Sequence, residues 1–384
     1  MKKICCYLLI FFFVCSLIGC FGTAKASEFD SQTTAYAKVT DIISEEEVDP
    51  SEEGFGYDMI FQTLELEITS GEHKGEIIQT EHIIDYNYTY NIMVEPGDRV
   101  LVYVEEDPDG TLQDVFIAER ARQNYLFWLA IAFVLAMGLV GGKKGLQSVV
   151  ALTITGFAVI RILLPMILQG YNAIVVSTIV CVGIIGVSLL IISGLSRKTF
   201  SAVIGTSGGL FIAGLLAYFV GNMAELTGLG SGEAQMLMFI PQNIEFDFQG
   251  ILFAAIIIGA LGAVMDVGMS VSSAMYEVEE AKPHIKTSEL MRAGMNVGKD
   301  LMGTMANTLI LAYTGGAIHL MLLFLAYEIP FAEIINQDMI ASEVVRALSG
   351  SIGLVFTVPI TSLVASTIGR KKAEEVHSPM TEDN

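Results

Sequence analysis

Two periodicities divide this sequence. Up to about residue 120 apolar and polar positions alternate in short runs; from about residue 124 the apolar positions merge into long stretches separated by short polar gaps. Alternation with period two puts successive side chains on opposite faces of a strand. Ala35–Thr40, Phe61–Ile68, Glu76–Ile84, Arg99–Val104 and Thr111–Ile117 therefore predict strands. Ser70-Gly71 through Gly75, Glu95-Pro96-Gly97-Asp98 and Asp107-Pro108-Asp109-Gly110 carry the residues that turns between strands require. Five or six short strands in about ninety residues imply a small all-β barrel of the OB or SH3 kind. Acidic, glycine-containing Ser44–Gly56 is expected to be a mobile loop.

The apolar stretches predict about seven membrane spans: Tyr125–Val140, Leu146–Leu168, Asn172–Leu195, Phe200–Met223, Gln249–Met275, Leu301–Tyr327 and Val344–Ile368. Each has the length that a ~30 Å hydrocarbon core demands. Their connections follow one charge rule. Lys143-Lys144, Arg197-Lys198, the group Lys282, Lys286, Arg292 and Lys299, and Arg370-Lys371-Lys372 occupy alternate gaps. The intervening gaps Gln169–Tyr171, Ala224–Asp247 and Tyr327–Ser342 hold no Lys or Arg. Such alternation is the positive-inside pattern, and it places the C-terminus in the cytoplasm. The outer gap with the apolar stretch Met236–Pro241 is expected to dip into the interface or to cover a vestibule.

Composition divides the chain in the same way. Of 42 Asp and Glu residues, 24 lie between Glu28 and Glu119. This acidic segment disfavours nucleic acid as a partner. It holds no cysteine: Cys5, Cys6, Cys15 and Cys20 precede it and Cys181 lies in the third span. Neither a disulfide framework nor a cysteine metal site is expected. Met1-Lys2-Lys3 followed by apolar Cys5–Ile18 has signal-peptide form. Cleavage after Ala24-Lys25-Ala26, lipidation at Cys20 in Leu-Ile-Gly-Cys, and an uncleaved anchor would each export the acidic segment. The expected order is a signal or anchor at 1–26, an exported acidic β domain at 27–120, an all-α seven-span bundle at 124–369 and a cytoplasmic tail at 370–384, in a bacterial plasma membrane.

Charged side chains in hydrocarbon are costly and need partners or water. Asp266, about two-thirds of the way along the fifth span, is the most telling. Asn307 and Thr308 lie in the inner half of the next span, which runs the other way, so all three can share one depth. Asp300 completes a relay expected for a proton or cation. Ser270, Ser273, Asn296, Lys299, Arg161 and His319 are supporting polar candidates. Arg346 reads as an interfacial anchor. His73 and His82 stand among carboxylates but read as exposed strand or turn histidines, and no metal site is assigned. Tyr86, Tyr88 and Tyr90 alternate along one strand face. Gly205-x-x-x-Gly209 permits close helix packing and a homo-oligomer. Gly315-Gly316 marks packing or a hinge in the sixth span.

Gly259-Ala-Leu-Gly-Ala-Val-Met-Asp266, Ser270-Val-Ser-Ser273 and Met295-Asn-Val-Gly-Lys-Asp-Leu-Met-Gly-Thr-Met-Ala-Asn-Thr-Leu-Ile-Leu-Ala-Tyr313 resemble the YibE/F-like family of bacterial membrane proteins. The signal-like start, the exported β segment and the succession of spans agree in layout. The resemblance implies a multipass membrane protein and brings no catalytic residues with it.

Two functional expectations arise. The first is a secondary transporter, or a proton- or cation-coupled transducer, with its relay at Asp266 and a small ion or solute as cargo. The alternative is a non-transporting envelope assembly or sensing scaffold whose residues 27–120 bind a wall component or a protein. No His-Glu-x-x-His motif, phosphate loop or nucleotide site is present in the sequence, so neither an enzyme nor a cofactor is expected.

Overall fold

The computed structural model describes residues 33–48, 59–85, 91–107, 109–240 and 246–368. Signal or anchor 1–26 with Cys20, the Tyr86–Tyr90 alternation, Arg370–Lys372 and the tail 370–384 lie outside the described residues. The chain divides into two compact units at Leu139/Val140.

In the first unit five antiparallel strands form one sheet: β1 Thr33–Val48, β2 Met59–Ile68, β3 Ile77–Asp85, β4 Arg99–Glu106 and β5 Leu112–Arg120. Their order is β3-β2-β1-β4-β5. Central β1 pairs with β4 over Thr33–Lys38 and with β2 over Ala37–Val48. Two register shifts, between Val39 and Asp41 and between Ile42 and Ser44, interrupt the β1–β2 ladder. Such irregularities bend a strand and raise its twist. The sheet curls into a half-barrel, and across its open side Thr80 of β3 donates to the Val115 carbonyl of β5. Ala35, Ala37, Val39, Leu64, Leu66, Val100, Val102 and Val115 alternate into its core.

The expected loop at Ser44–Gly56 is corrected in its first part. β1 continues to Val48, because β2 offers it a full ladder. Gln62 Nε2 donates to Glu45 at 2.9 Å, and the Ser44 and Thr63 hydroxyls meet at 3.0 Å. At the Pro-Gly-Asp turn, Gly97 has φ +102°, a conformation that glycine adopts without a Cβ clash. Its amide donates to the Val39 carbonyl at 2.8 Å.

The described residues after Arg122 are mainly helical. α1 Gln123–Ala158 passes through a π-helical turn, Val159–Leu163, into α2 Leu164–Leu168. Then come α3 Ala173–Ser193, α4 Arg197–Met223, α5 Gly232–Met236, α6 Phe248–Ala281, α7 Thr287–Gly316, α8 Ile318–Ala326, α9 Phe331–Asn336 and α10 Asp338–Thr367. Five helical stretches among the described residues are long and apolar enough to cross a membrane, and α7 with α8 makes a sixth candidate bent by 59°. That bend falls at the Gly315-Gly316 pair. The first stretch, Gln123–Leu168, has 46 residues and would measure about 69 Å if straight. Gly142 breaks it with φ 55° and ψ −131°, beside Lys143-Lys144.

In the second unit α4 and α10 pack most intimately, α6 lies against both, α3 covers α6 and α4, and α7 covers α6 and α10. Glycine sets the closeness of the α4–α10 crossing. A Cβ at Gly205 would fall 2.8 Å from the Thr361 Cα, and one at Gly353 would fall 2.6 Å from the Ala213 Cβ. The Gly205-x-x-x-Gly209 face is thus filled by α10 of its own chain, the close helix packing that its spacing permits. Between α4 and α6, α5 and the turn Leu237–Phe239 leave Met236, Met238 and Phe239 exposed.

Candidate functional site

Asp266 stands on an exposed stripe of α6. With helical spacing, Ala255, Gly259, Gly262, Asp266 and Ser270 all face outward from the bundle, while Val264, Val267, Gly268 and Val271 face inward. The stripe is made of small residues and one acid. α7 runs beside it in the opposite direction. Met275 of α6 touches the site of Gly294, and the Tyr313 hydroxyl touches that of Gly259. Both helices rise ~1.5 Å per residue, so these two crossings set the register. Asp266 lies seven residues after Gly259 and nine before Met275, which brings it level with Gly303–Ala306. Asn307 and Thr308 are within a turn of that level, and Asp300 is level with Ser270.

Asn296, Lys299, Asp300, Gly303, Thr304, Asn307 and Thr308 are all exposed on α7. The helix therefore turns a polar flank outward. The hydroxyls are already satisfied by their own helix: Thr304 donates to the Leu301 carbonyl at 3.1 Å and Thr308 to the Thr304 carbonyl at 2.9 Å. Among the described residues the side chains of Asp266, Asn307, Lys299 and Asp300 make no hydrogen bond or ion pair.

The other expected residues are placed apart. Arg161 sits in the π-helical turn, which packs on α3, and forms no ion pair with Asp266. His319 is exposed on α8, beyond the 59° bend. Ser273, next to buried Ser272, is half-buried. Arg346 is half-buried and donates to Glu343 at 2.8 Å. A small cleft lined by Ile167, Tyr171, Asn172, Phe246 and Asp247 includes none of the expected site residues.

Sequence reasoning passed over a second polar array. Thr206 on α4 and Thr357, Thr361, Ser362 and Ser366 on α10 are fully buried. Thr357 donates to the Gly353 carbonyl at 2.9 Å, while the Thr206, Thr361 and Ser362 hydroxyls have no partner among the described residues. Each lies against a glycine: Thr361 against Gly205, Thr206 against Gly268, and Ser362 against Gly294. They fill the room that missing side chains leave, which is how small residues pack helices in bilayers. The spacing of four in Ser349, Gly353, Thr357 and Thr361 is the signal that marks them.

In the β domain, His73 bridges two carboxylates. Nδ1 faces Glu76 at 3.2 Å and Nε2 faces Glu106 at 3.1 Å. The hydrogen bond to Glu76 and the further one to Glu106 raise its pKa above the ordinary value, against the opposing effect of desolvation. The side chain is 12% exposed, so the expectation of an open turn histidine is corrected. His82 Nε2 lies 2.7 Å from the Ile92 carbonyl. No group of three metal-binding side chains occurs among the described residues.

A half-barrel of antiparallel strands, followed by several long apolar helices with polar groups on one flank, defines a class consistent with multipass membrane proteins. Within that class the chain belongs to the YibE/F-like protein family. That family matches residues 129–371, and the YibE/F family N-terminal domain matches residues 30–119. Comparison with curated proteins and with solved structures finds no match.

Proposed function

We propose that this protein is a secondary transporter, or a proton- or cation-coupled membrane transducer, whose coupling group is Asp266. One observation carries the reading: an unpaired carboxyl stands midway along a long apolar helix beside a polar helix flank, level with Gly303–Ala306 and within a turn of Asn307 and Thr308. A carboxyl so placed takes up a proton or cation from one side of the bilayer and yields it to the other. The Asn307 amide can donate to the carboxylate and accept from the acid, so it serves both states. Asp300, toward the cytoplasmic end of the flank, is the next acceptor.

The topology belongs to the same proposal. The Gly142 break divides the 46-residue stretch in two, and counting α7 with α8 as one bent span then gives seven. The charge rule sends residues 27–120 outside and the C-terminus into the cytoplasm. The β domain is of the OB kind: a long, bent β1 shared by β2 and β4, with β3 approaching β5, supports a partly open five-stranded barrel. The reading assigns no enzymatic chemistry to the chain.

A second reading, an envelope assembly or sensing scaffold, is favoured by one feature of the β domain. Tyr103 and Phe116 form a cross-strand pair on the outer sheet face, 41% and 42% exposed. Exposed aromatics of this sort suit a protein partner.

The test is proton flux into proteoliposomes under an imposed pH gradient, with candidate ions added in turn, comparing wild type with Asp266→Asn. Flux in wild type that the variant loses supports coupling at Asp266. Equal flux in both overturns it, and absence of flux with every ion turns the question to partners of residues 27–120.

A further inference from the structure

The α6–α7 flank is unlike the other outward faces of the bundle. Those faces present long apolar side chains, such as Phe211, Phe219 and Leu363, at 63%, 56% and 51% exposure. The flank presents Gly262 and Gly303, where, as at Gly183 of α3, an added Cβ would meet nothing within 4 Å. Around them stand Asp266, Asn307, Lys299 and Asp300. Lipid tails offer Asp266 and Asn307 no partner, and polar side chains at span depth turn toward protein or water; Lys299 and Asp300 stand just before the expected span Leu301–Tyr327. Small residues beside polar ones are the composition of a helix–helix contact in a bilayer.

The charges indicate which protein. Lys299 and Asp300 are adjacent in sequence, so they diverge around the helix and do not face each other. Neither has an ion-pair partner among the described residues. Two copies inserted with the same topology are related by an axis along the bilayer normal, which preserves depth. A two-fold contact presents the same patch from both sides. Lys299 of each copy then meets Asp300 of the other at one level. Gly205 and Gly209, the more obvious contact motif, are already filled by α10.

We propose that a second copy of this chain packs on the α6–α7 flank about a two-fold axis along the bilayer normal, pairing Lys299 of each copy with Asp300 of the other. Gly262 and Gly303 let the backbones approach, and Asp266 is enclosed between the copies instead of facing lipid. The inference rests on reading α6 and α7 as spans, not on transport. A dimer that moves no ions leaves it standing and removes coupling; Asp266-dependent flux from a monomer does the reverse.

The test uses the full chain in lipid nanodiscs and in native membranes. Wild type is expected at twice the chain mass. Under mild oxidation Thr304→Cys is expected to give a cross-linked dimer beyond the wild-type background, and Phe211→Cys, on a lipid-facing side of α4, is not. Lys299→Asp is expected to abolish the dimer. Lys299→Asp combined with Asp300→Lys is expected to restore it, which a variant that merely misfolds would not do. A monomeric wild type overturns the proposal and leaves the flank to lipid or a different protein. Cross-linking through Phe211→Cys alone, or a Lys299→Asp chain that stays dimeric, also overturns it.

Discussion

Gly298 of α7 offers the sharpest test of how tightly this bundle is built. It is buried against Val358 of α10, itself fully buried. A Cβ at Gly298 would overlap the Val358 Cγ1 and lie 2.9 Å from Cγ2 and 3.0 Å from Cβ. Alanine is favoured over glycine in a helix by about 1 kcal/mol. Overpacking a tight contact costs about 1–3 kcal/mol. Gly298→Ala should therefore be destabilising by up to about 2 kcal/mol net. Gly183→Ala, where a Cβ meets nothing within 4 Å, isolates the propensity gain and should be neutral or mildly stabilising. Val358→Ala removes two buried methyls, for roughly 1–3 kcal/mol. In the double variant the added methyl occupies the vacated space, so the losses should fall short of additivity by about 0.5–3 kcal/mol. Unfolding in mixed micelles titrated with dodecyl sulfate, followed by far-ultraviolet circular dichroism, measures all four. Additivity within about 0.5 kcal/mol, or a Gly298→Ala chain as stable as Gly183→Ala, would refute the packing.

Two further predictions concern the ends of the fold. His73 has a raised folded-state pKa, so its contribution to stability is complete below its ordinary value near 6.5 and lost as pH climbs through the raised one. Melting temperatures of residues 27–120 should therefore fall more steeply across that window in wild type than in His73→Gln; parallel curves would exclude the bridge. Asp338 accepts from both the amide and the hydroxyl of Thr227 at 3.0 Å, tying the segment after α4 to the start of α10. Asp338→Ala should cost about 1–3 kcal/mol locally and speed proteolysis between residues 224 and 240, and an unchanged cleavage rate would count against it.

Much of the fold is written in local periodicity. Alternation at Leu64, Leu66 and Ile68 and at Val100, Val102 and Val104 marks the strands, because one side of the sheet is wet. The register shifts in β1 and the Thr80–Val115 contact leave no such mark, since they arise from long-range pairing. In the helices, length and loop charge reveal the long apolar stretches, but not which face turns inward. Lipid is as apolar as the core, so Phe211 outside and Phe253 inside look alike in sequence. For the same reason Asp266 is conspicuous as a residue while its outward placement is not. Thr206, Thr361 and Ser362 escape notice because hydroxyls in an apolar run carry little weight until their glycine counterparts on a distant helix are known.

The pairing of α4 with α10 has a consequence for how the chain is made. The helix carrying Gly205 and Gly209 emerges from the ribosome roughly 8–30 s before the last helix supplies Thr361 and Thr357, at ordinary rates of synthesis. During that interval the groove beside those glycines has no α10 to fill it. A chain interrupted before residue 338 never fills it. Such a fragment would leave the groove around Gly205 and Gly209 uncovered.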